Sequence, residues 1–256
     1  MDRLTLPIAH AWTATAEGIE IEYGDSVAYW NEQAWGEGRR HYTIPAGVDC
    51  NEIGVVISRL DRTAKRIELG LHDGDVMIMM TARLVSWKGH EDIIDTMTLL
   101  PTNMHLYLTG WGDRYQTLVR RTHDHGIQDR VHFLGSRSDV YELLGAADIY
   151  VQSFSRTPEG RVWTGPSMSQ MEACAAGVPS ISTRVPLIER LIEDGITGKI
   201  AELNDPKSIA SAITWIVTHP IEAQSLALAA KQRVQGRYSI DMMVRHYASL
   251  YKTVLG

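Results

Sequence analysis

Cysteine is almost absent from the 256 residues: there are two, Cys50 and Cys174, far apart and in different settings. That excludes a disulfide framework. Cys174, set among Met and Ala, reads as a small core hydrophobe in a reducing compartment. No block of Lys or Arg stands out and the formal net charge is −6, so no electrostatic footprint for nucleic acid exists. No apolar run approaches the ~18–20 residues that span a bilayer, and the first residues lack the basic, apolar and small-residue layout of a secretory signal. A cytoplasmic chain is expected, with a peripheral contact at the inner membrane face left open. Repeats and low-complexity segments are missing too. What remains, 44% apolar and 22% charged residues, is the composition of a globular protein with room for one large or two small domains.

From residue 75 onward, short apolar runs alternate with helical spacing. "VMIMMTARL", "MHLYLTG", "VHFLG", "IYVQSF" and "PSIST" read as strands, with "GKIAE" a sixth. Between them lie "GHEDIIDTMTLL", "DRYQTLVRRTHDHG" (opened by Asp113, closed by Gly126), "SDVYELLGAAD" and Ser167–Ala176. Strands of four to seven residues separated by helices predict βαβ units. The expected fold is therefore α/β, a Rossmann-like doubly wound parallel sheet, with its ligand at the carboxyl ends of the strands. "DPKSIASAITWIVTH" and two further segments predict extra C-terminal helices, the first capped by Asp205. Residues 1–45 do not fit the alternation; they hold Trp12, Trp30 and Trp35, a strand-like "GIEIEY", and then "HYTIPAGVD", a strand and turn. The expected division is an N-terminal segment, 1–45, and a Rossmann-like domain with its helices, 46–256.

Several residues could carry chemistry. Arg83 and Lys88 follow the first buried strand and could face one anion, a diphosphate by preference, since Arg offers a planar fork and Lys a point charge. The bland alternative is two solvated loop cations. Glu172 sits one to two turns into a helix of small residues whose N-terminal amides face the same crevice. Facing inward, its carboxylate can accept from both hydroxyls of a ribose; facing outward, it is a surface acid. "DGD" (73–75) reads as a turn rather than a metal site, and "HDH" (123–125) as a helix end. "GWG" (110–112) lacks the third glycine of a dinucleotide fingerprint and follows the second strand of the alternating region. No local signature marks a Ser-His-Asp or Cys-His nucleophile.

The ordered set "PAGVD", "ARLVSWKGHEDII", "LYLTGWGD", "VHFLGSRSDVYELLGAADIYVQS", "GPSMSQMEACAAGVPSIST" and "EDGITGKI" resembles the donor-binding half of a family 4 glycosyltransferase. Those enzymes have the GT-B architecture of two facing Rossmann-like domains. The resemblance covers about residues 41–256. It implies transfer of a sugar from a nucleoside-diphosphate sugar to an unknown acceptor (glycan, lipid or small molecule), with retention and without a metal or other cofactor. It also implies that Arg83 and Lys88 hold the leaving diphosphate and that Glu172, second acid of the E-x(7)-E motif, binds the ribose. Backbone at Leu134, Gly135 and Arg137 would line the base, and Gly165, Ser167 and Met168 would approach the donor.

The departures are specific. The first acid of that motif falls on Thr164, Pro166 lacks an amide, and Glu159 is thirteen residues before Glu172. They keep a second reading in play, a non-catalytic module that holds nucleotide sugar and needs a partner for activity. A sugar-nucleotide epimerase would need further cleft acids, and a nicotinamide oxidoreductase the missing fingerprint. Residues 1–40 are too few for the family's N-terminal domain. "MMVRHYASLYKTVL" looks like the helix that crosses back to that domain, and it is expected to meet such a partner or a second copy.

Overall fold

The computed structural model describes residues 11–14, 40–157, 160, 162–163 and 165–255. "GIEIEY", Glu159 and Thr164 lie outside them. The chain divides into two compact units, Cys50–Gln235, and residues 1–49 with Gly236–Gly256.

The Cys50–Gln235 unit is a six-stranded parallel sheet of order β5-β4-β3-β6-β7-β8. The strands are β3 Val76–Thr81, β4 Met104–Thr109, β5 Val131–Gly135, β6 Ile149–Gln152, β7 Ser180–Thr183 and β8 Lys199–Ala201. β3 lies in the middle because both its faces are apolar. Ile78 and Met80 look into one core with Leu106, Leu108, Val151 and Ile181; Met77 and Met79 look into the other with Tyr107 and Tyr150. Helices α3 (His90–Met97), α4 (Tyr115–Asp124) and α7 (Pro206–Thr218) supply Ile93, Leu118 and Ile213 to the first core. Helices α5 (Val140–Ala146) and α6 (Met168–Ala176) supply Leu143 and Ala173 to the second. This is the doubly wound α/β fold that the sequence predicts. The chain moves outward from β3 to β5, then returns to β6 and moves the other way. The switch in strand order therefore falls between β3 and β6, where a ligand crevice is expected.

Helices α1 (Cys50–Arg59) and α2 (Arg62–Glu68) were not legible in the sequence. "GVVI" (54–57) combines a glycine with three β-branched residues, all weak helix formers. Tertiary packing overrides this: α1 lies on α5 and α6, so close that a Cβ on Gly145 would meet Leu60 Cδ2 at 2.6 Å. α2 is capped conventionally, Asp61 accepting from Ala64 N. α7 begins as predicted, Asp205 accepting from Lys207 N and Ser208 N with Pro206 behind it. α4, in contrast, is not capped by Asp113; Arg114 takes the N-cap place, and its amide donates to Leu84 O. Helix α8, Pro220–Arg237, follows α7.

In the other unit, β1 (Ala11–Ala14) and β2 (Arg40–Thr43) pair in parallel. Val48 bridges to Ser239, its amide donating to Tyr238 O and its carbonyl accepting from Ile240 N. Helix α9, Ile240–Leu255, starts there and exposes Val244 and Tyr251. None of the described helices is long and apolar enough to cross a membrane.

Candidate functional site

Backbone contacts build the loop after β3 before any side chain does. Ala82 N donates to Thr109 O and Leu84 N to Trp111 O. The strands' exits run so close that a Cβ on Gly110 would lie 2.0 Å from Ala82 O, and one on Gly112 2.2 Å from Leu84 O. The glycines of "GWG" thus serve close backbone approach, and they fix where Arg83 leaves the sheet. A 3-10 turn, Ser86–Lys88, then ends at Gly89 in the left-handed region, φ 72°. Across the switch, Ser153 Oγ donates to Gly89 O at 2.7 Å and Ser155 N to Trp87 O at 3.1 Å. The loops after β3 and β6 are one piece.

Both expected cations stand on this piece. Arg83 is exposed, with its Cζ 5.8 Å from the centroid of the Trp87 ring. Lys88 is only 8% exposed. Its Nζ lies 4.4 Å from the Trp87 ring, 4.9 Å from Phe154 and 4.5 Å from Trp163. Burial, reinforced by the charge of Arg83, brings the ammonium down to about 8. Among the described residues no carboxylate pairs with either cation.

His90 follows at the start of α3, 2% exposed, with neither ring nitrogen hydrogen-bonded among the described residues. Burial, then the charge of Lys88, lowers it from 6.5 to about 3. The unfolded chain therefore takes up a proton below pH 6.5 that the folded chain refuses until about pH 3, and stability falls across that window. His105 and His132, whose rings meet at 3.2 Å (Nδ1 to Nε2), are lowered by burial too and act in the same direction. Urea unfolding at pH 7 and pH 5 should differ by ~2 kcal/mol from His90 alone, at ~1.4 kcal/mol per pH unit. His90→Leu should remove that share; equal acid sensitivity in the variant would refute it.

Glu172 is the fifth residue of α6. It is half-buried, and burial raises its carboxyl above the ordinary range while a hydrogen bond from Tyr141 opposes the rise. Its charge is felt by the Tyr150 hydroxyl, which donates to Thr81 O at 3.3 Å at the end of β3. α6 itself opens on Ser167, whose Oγ accepts from Gln170 N and donates to Gln152 Oε1 at 2.9 Å. Gly165 N is committed to Pro186 O at 2.7 Å. Among the described residues no acceptor meets the amides of Ser167 and Met168.

Leu134, Gly135 and Arg137 lie two strands away, at the end of β5. Gly135 turns in the left-handed region, φ 66°, and its carbonyl accepts from Gly110 N. The Arg137 side chain is spent on structure: it grips Asp139 at 2.7 and 2.6 Å, and with Lys65 holds that carboxyl well below the usual range. A cleft at the opposite, amino end of the sheet, lined by Arg62, Asp148 and Pro179, is likewise neutralised. There Asp148 takes Arg62 at 2.5 Å and Arg66 at 2.9 Å.

The residues that pattern reading missed are Trp87, Phe154, Trp163 and His90. Two carried a signal: Trp87 interrupts the Arg83–Lys88 loop, and Trp163 directly precedes Thr164.

The model for glycosyl transferases group 1 matches residues 61–233. The chain belongs to the glycosyl transferases group 1 family. The lipopolysaccharide core biosynthesis glycosyltransferase LpsE of Rhizobium meliloti is 29% identical over 174 residues, covering 68% of this chain and 49% of LpsE. The N-acetyl-alpha-D-glucosaminyl L-malate synthase of Bacillus anthracis is 26% identical over 202 residues, covering 78% of this chain and 51% of the synthase. The chain spans about half the length of these curated relatives. Anabaena Alr3699/HepE, solved with UDP and glucose, has the same fold: TM-score 0.78, 21% identity, over 95% of this chain and 63% of that one. The GT-B type of Rossmann-like layer that the motifs imply is thus the one this glycosyltransferase-family chain adopts.

Proposed function

We propose that the chain supplies the donor-binding half of a retaining glycosyl transfer, taking a nucleoside-diphosphate hexose between the carboxyl ends of β3 and β6. The observation that carries this reading is the convergence of Arg83 and Lys88 on the Trp87 ring at the switch point, with no described carboxylate neutralising them. Relatives named as glycosyltransferases, and an Anabaena neighbour holding UDP and glucose, support it.

In this reading the diphosphate lies against the Arg83 fork and the Lys88 ammonium, with the Ser167 and Met168 amides and the positive end of α6 behind it. Glu172 accepts from two ribose hydroxyls, and backbone at Leu134–Arg137 borders the base. As the bond from the anomeric carbon to phosphate oxygen breaks, its electron pair passes to that oxygen, where the cations already stand. The acceptor hydroxyl attacks from the face the phosphate leaves, and its proton passes to the same phosphate oxygen. Two protein cations then do what a divalent metal does elsewhere, so no metal or other cofactor is given a role. The acceptor, and the partner domain or chain that binds it, stay unassigned.

Thr164, standing where the family pattern has its first acid, favours a second reading in which the chain binds donor without turning it over. A melting panel of UDP-, GDP-, ADP- and TDP-sugars tests both. A true donor at a hundredfold excess over Kd adds ~2.7 kcal/mol, and each kcal/mol raises Tm by about 2–4 °C at this size. A flat panel rejects donor binding; hydrolysis of the stabilising sugar nucleotide separates the transferase from the module.

A further inference from the structure

Lys88 is held in an unusual way. Buried ammonium groups ordinarily find a carboxylate, as Lys65 does with Asp139 at 2.7 Å and Glu142 at 2.9 Å. Lys88 has three aromatic rings instead. Trp87 and Trp163 stack at 5.0 Å with 7° between their planes, and Phe154 continues the row at 6.0 Å and 12° from Trp163. All three centroids lie within the ~6 Å at which ring quadrupoles attract a cation. Among the described residues, the titratable groups facing it are Arg83, from its own loop, and His90, from α3; neither neutralises it. The indole nitrogen of Trp163 is buried and makes no hydrogen bond among the described residues, so the described contacts that hold this ring are its stacking partners and the ammonium.

We propose that Trp163 is a positioning residue. With Trp87 and Phe154 it cages the Lys88 ammonium, screening it from water with no acidic partner among the described residues, and leaves it uncommitted until a diphosphate arrives. The consequence for binding rests on the donor reading above; the cage itself does not.

The physical logic is a balance. A carboxylate would fix the ammonium firmly and compete with an incoming phosphate. Ring faces attract it by only ~0.5–2 kcal/mol each and carry no negative charge that an anion would have to displace. Weak retention has a recognisable signature. In the free protein the amine deprotonates near pH 8, and a bound dianion favours the charged form. Binding then takes up a proton in alkaline buffer, and affinity falls up to ~tenfold per pH unit above that midpoint.

The test is NMR of the full chain labelled at lysine Cε, which must resolve only six lysines, with Lys88 assigned by Lys88→Arg. In the free protein its midpoint should lie well below the other five. Trp163→Ala admits water and should move the midpoint up by about a unit or more, while Trp163→Phe keeps a ring and should leave it low. Lys65, locked in its acidic pocket, reports in the same spectrum that each variant is folded. An unmoved or lowered Lys88 midpoint in folded Trp163→Ala overturns the cage. The second arm measures UDP and GDP affinity against pH, where the alkaline fall should begin later in Trp163→Ala than in the parent chain. Should the midpoint move as expected while neither nucleotide's affinity depends on Lys88, the cage stands and the donor reading fails.

Discussion

Arg83→Ala should weaken binding of the matching nucleoside diphosphate by about 10- to 150-fold, the equivalent of losing one charged hydrogen-bond set of ~1.5–3 kcal/mol. Turnover should fall further, by ~10²–10³, because charge on the leaving phosphate is greatest in the transition state. Three features make the effect large. The guanidinium has no described carboxylate partner to mask it, it shares the Trp87 ring with Lys88, and flanking backbone bonds at Ala82 and Leu84 fix its origin. Its exposure means that folding should be indifferent to the change, so melting of the unliganded variant should match the parent. Arg83→Lys should recover part of the affinity and little of the rate, since a point charge cannot reproduce the fork. Calorimetry showing parental affinity in Arg83→Ala would remove the cation pair from the binding site.

Gly89→Ala should abolish the soluble fold or cost more than ~4 kcal/mol, a loss on the scale of total domain stability. Gly89 has a φ of 72°, and an added Cβ would lie 1.9 Å from Ser153 O and 2.4 Å from Ser153 C. Those atoms are backbone at the end of β6 and cannot rotate away. Relief would require parting the loops after β3 and β6 and losing the bonds Ser153 Oγ to Gly89 O and Ser155 N to Trp87 O. Gly70→Ala separates this clash from backbone strain alone. Its φ is 79° but nothing lies within 4 Å of the new carbon, so it should cost only ~1–2 kcal/mol. Urea midpoints and soluble yield of the pair decide the matter; comparable losses would mean that the contact with β6 is unimportant.

The sheet was readable because its strands are buried on both faces and therefore appear as continuous apolar runs, "VMIMM" most clearly. α1 and α2 were not, since "GVVI" becomes helical only against Gly145 and its neighbours. Arg83, Lys88 and Glu172 could be singled out as candidates because residue type and position after a strand or within a helix start are local properties. The surroundings of Lys88 were not local. Nothing in "SWKGH" says that Phe154 and Trp163, brought in by a different strand, will enclose it. Helix entry at Arg114 rather than Asp113 has the same origin: Leu84 O, remote in sequence, sets it.

The reversal of strand order at β3 has a consequence during synthesis. β6 emerges long after β3, and at ~5–20 residues per second the wait lasts several seconds. Throughout it, "VMIMMT", the most apolar of the described strands, stands as an open edge with one row of amides and carbonyls unpaired. The nascent chain, rather than the finished one, is where this molecule is most prone to aggregate.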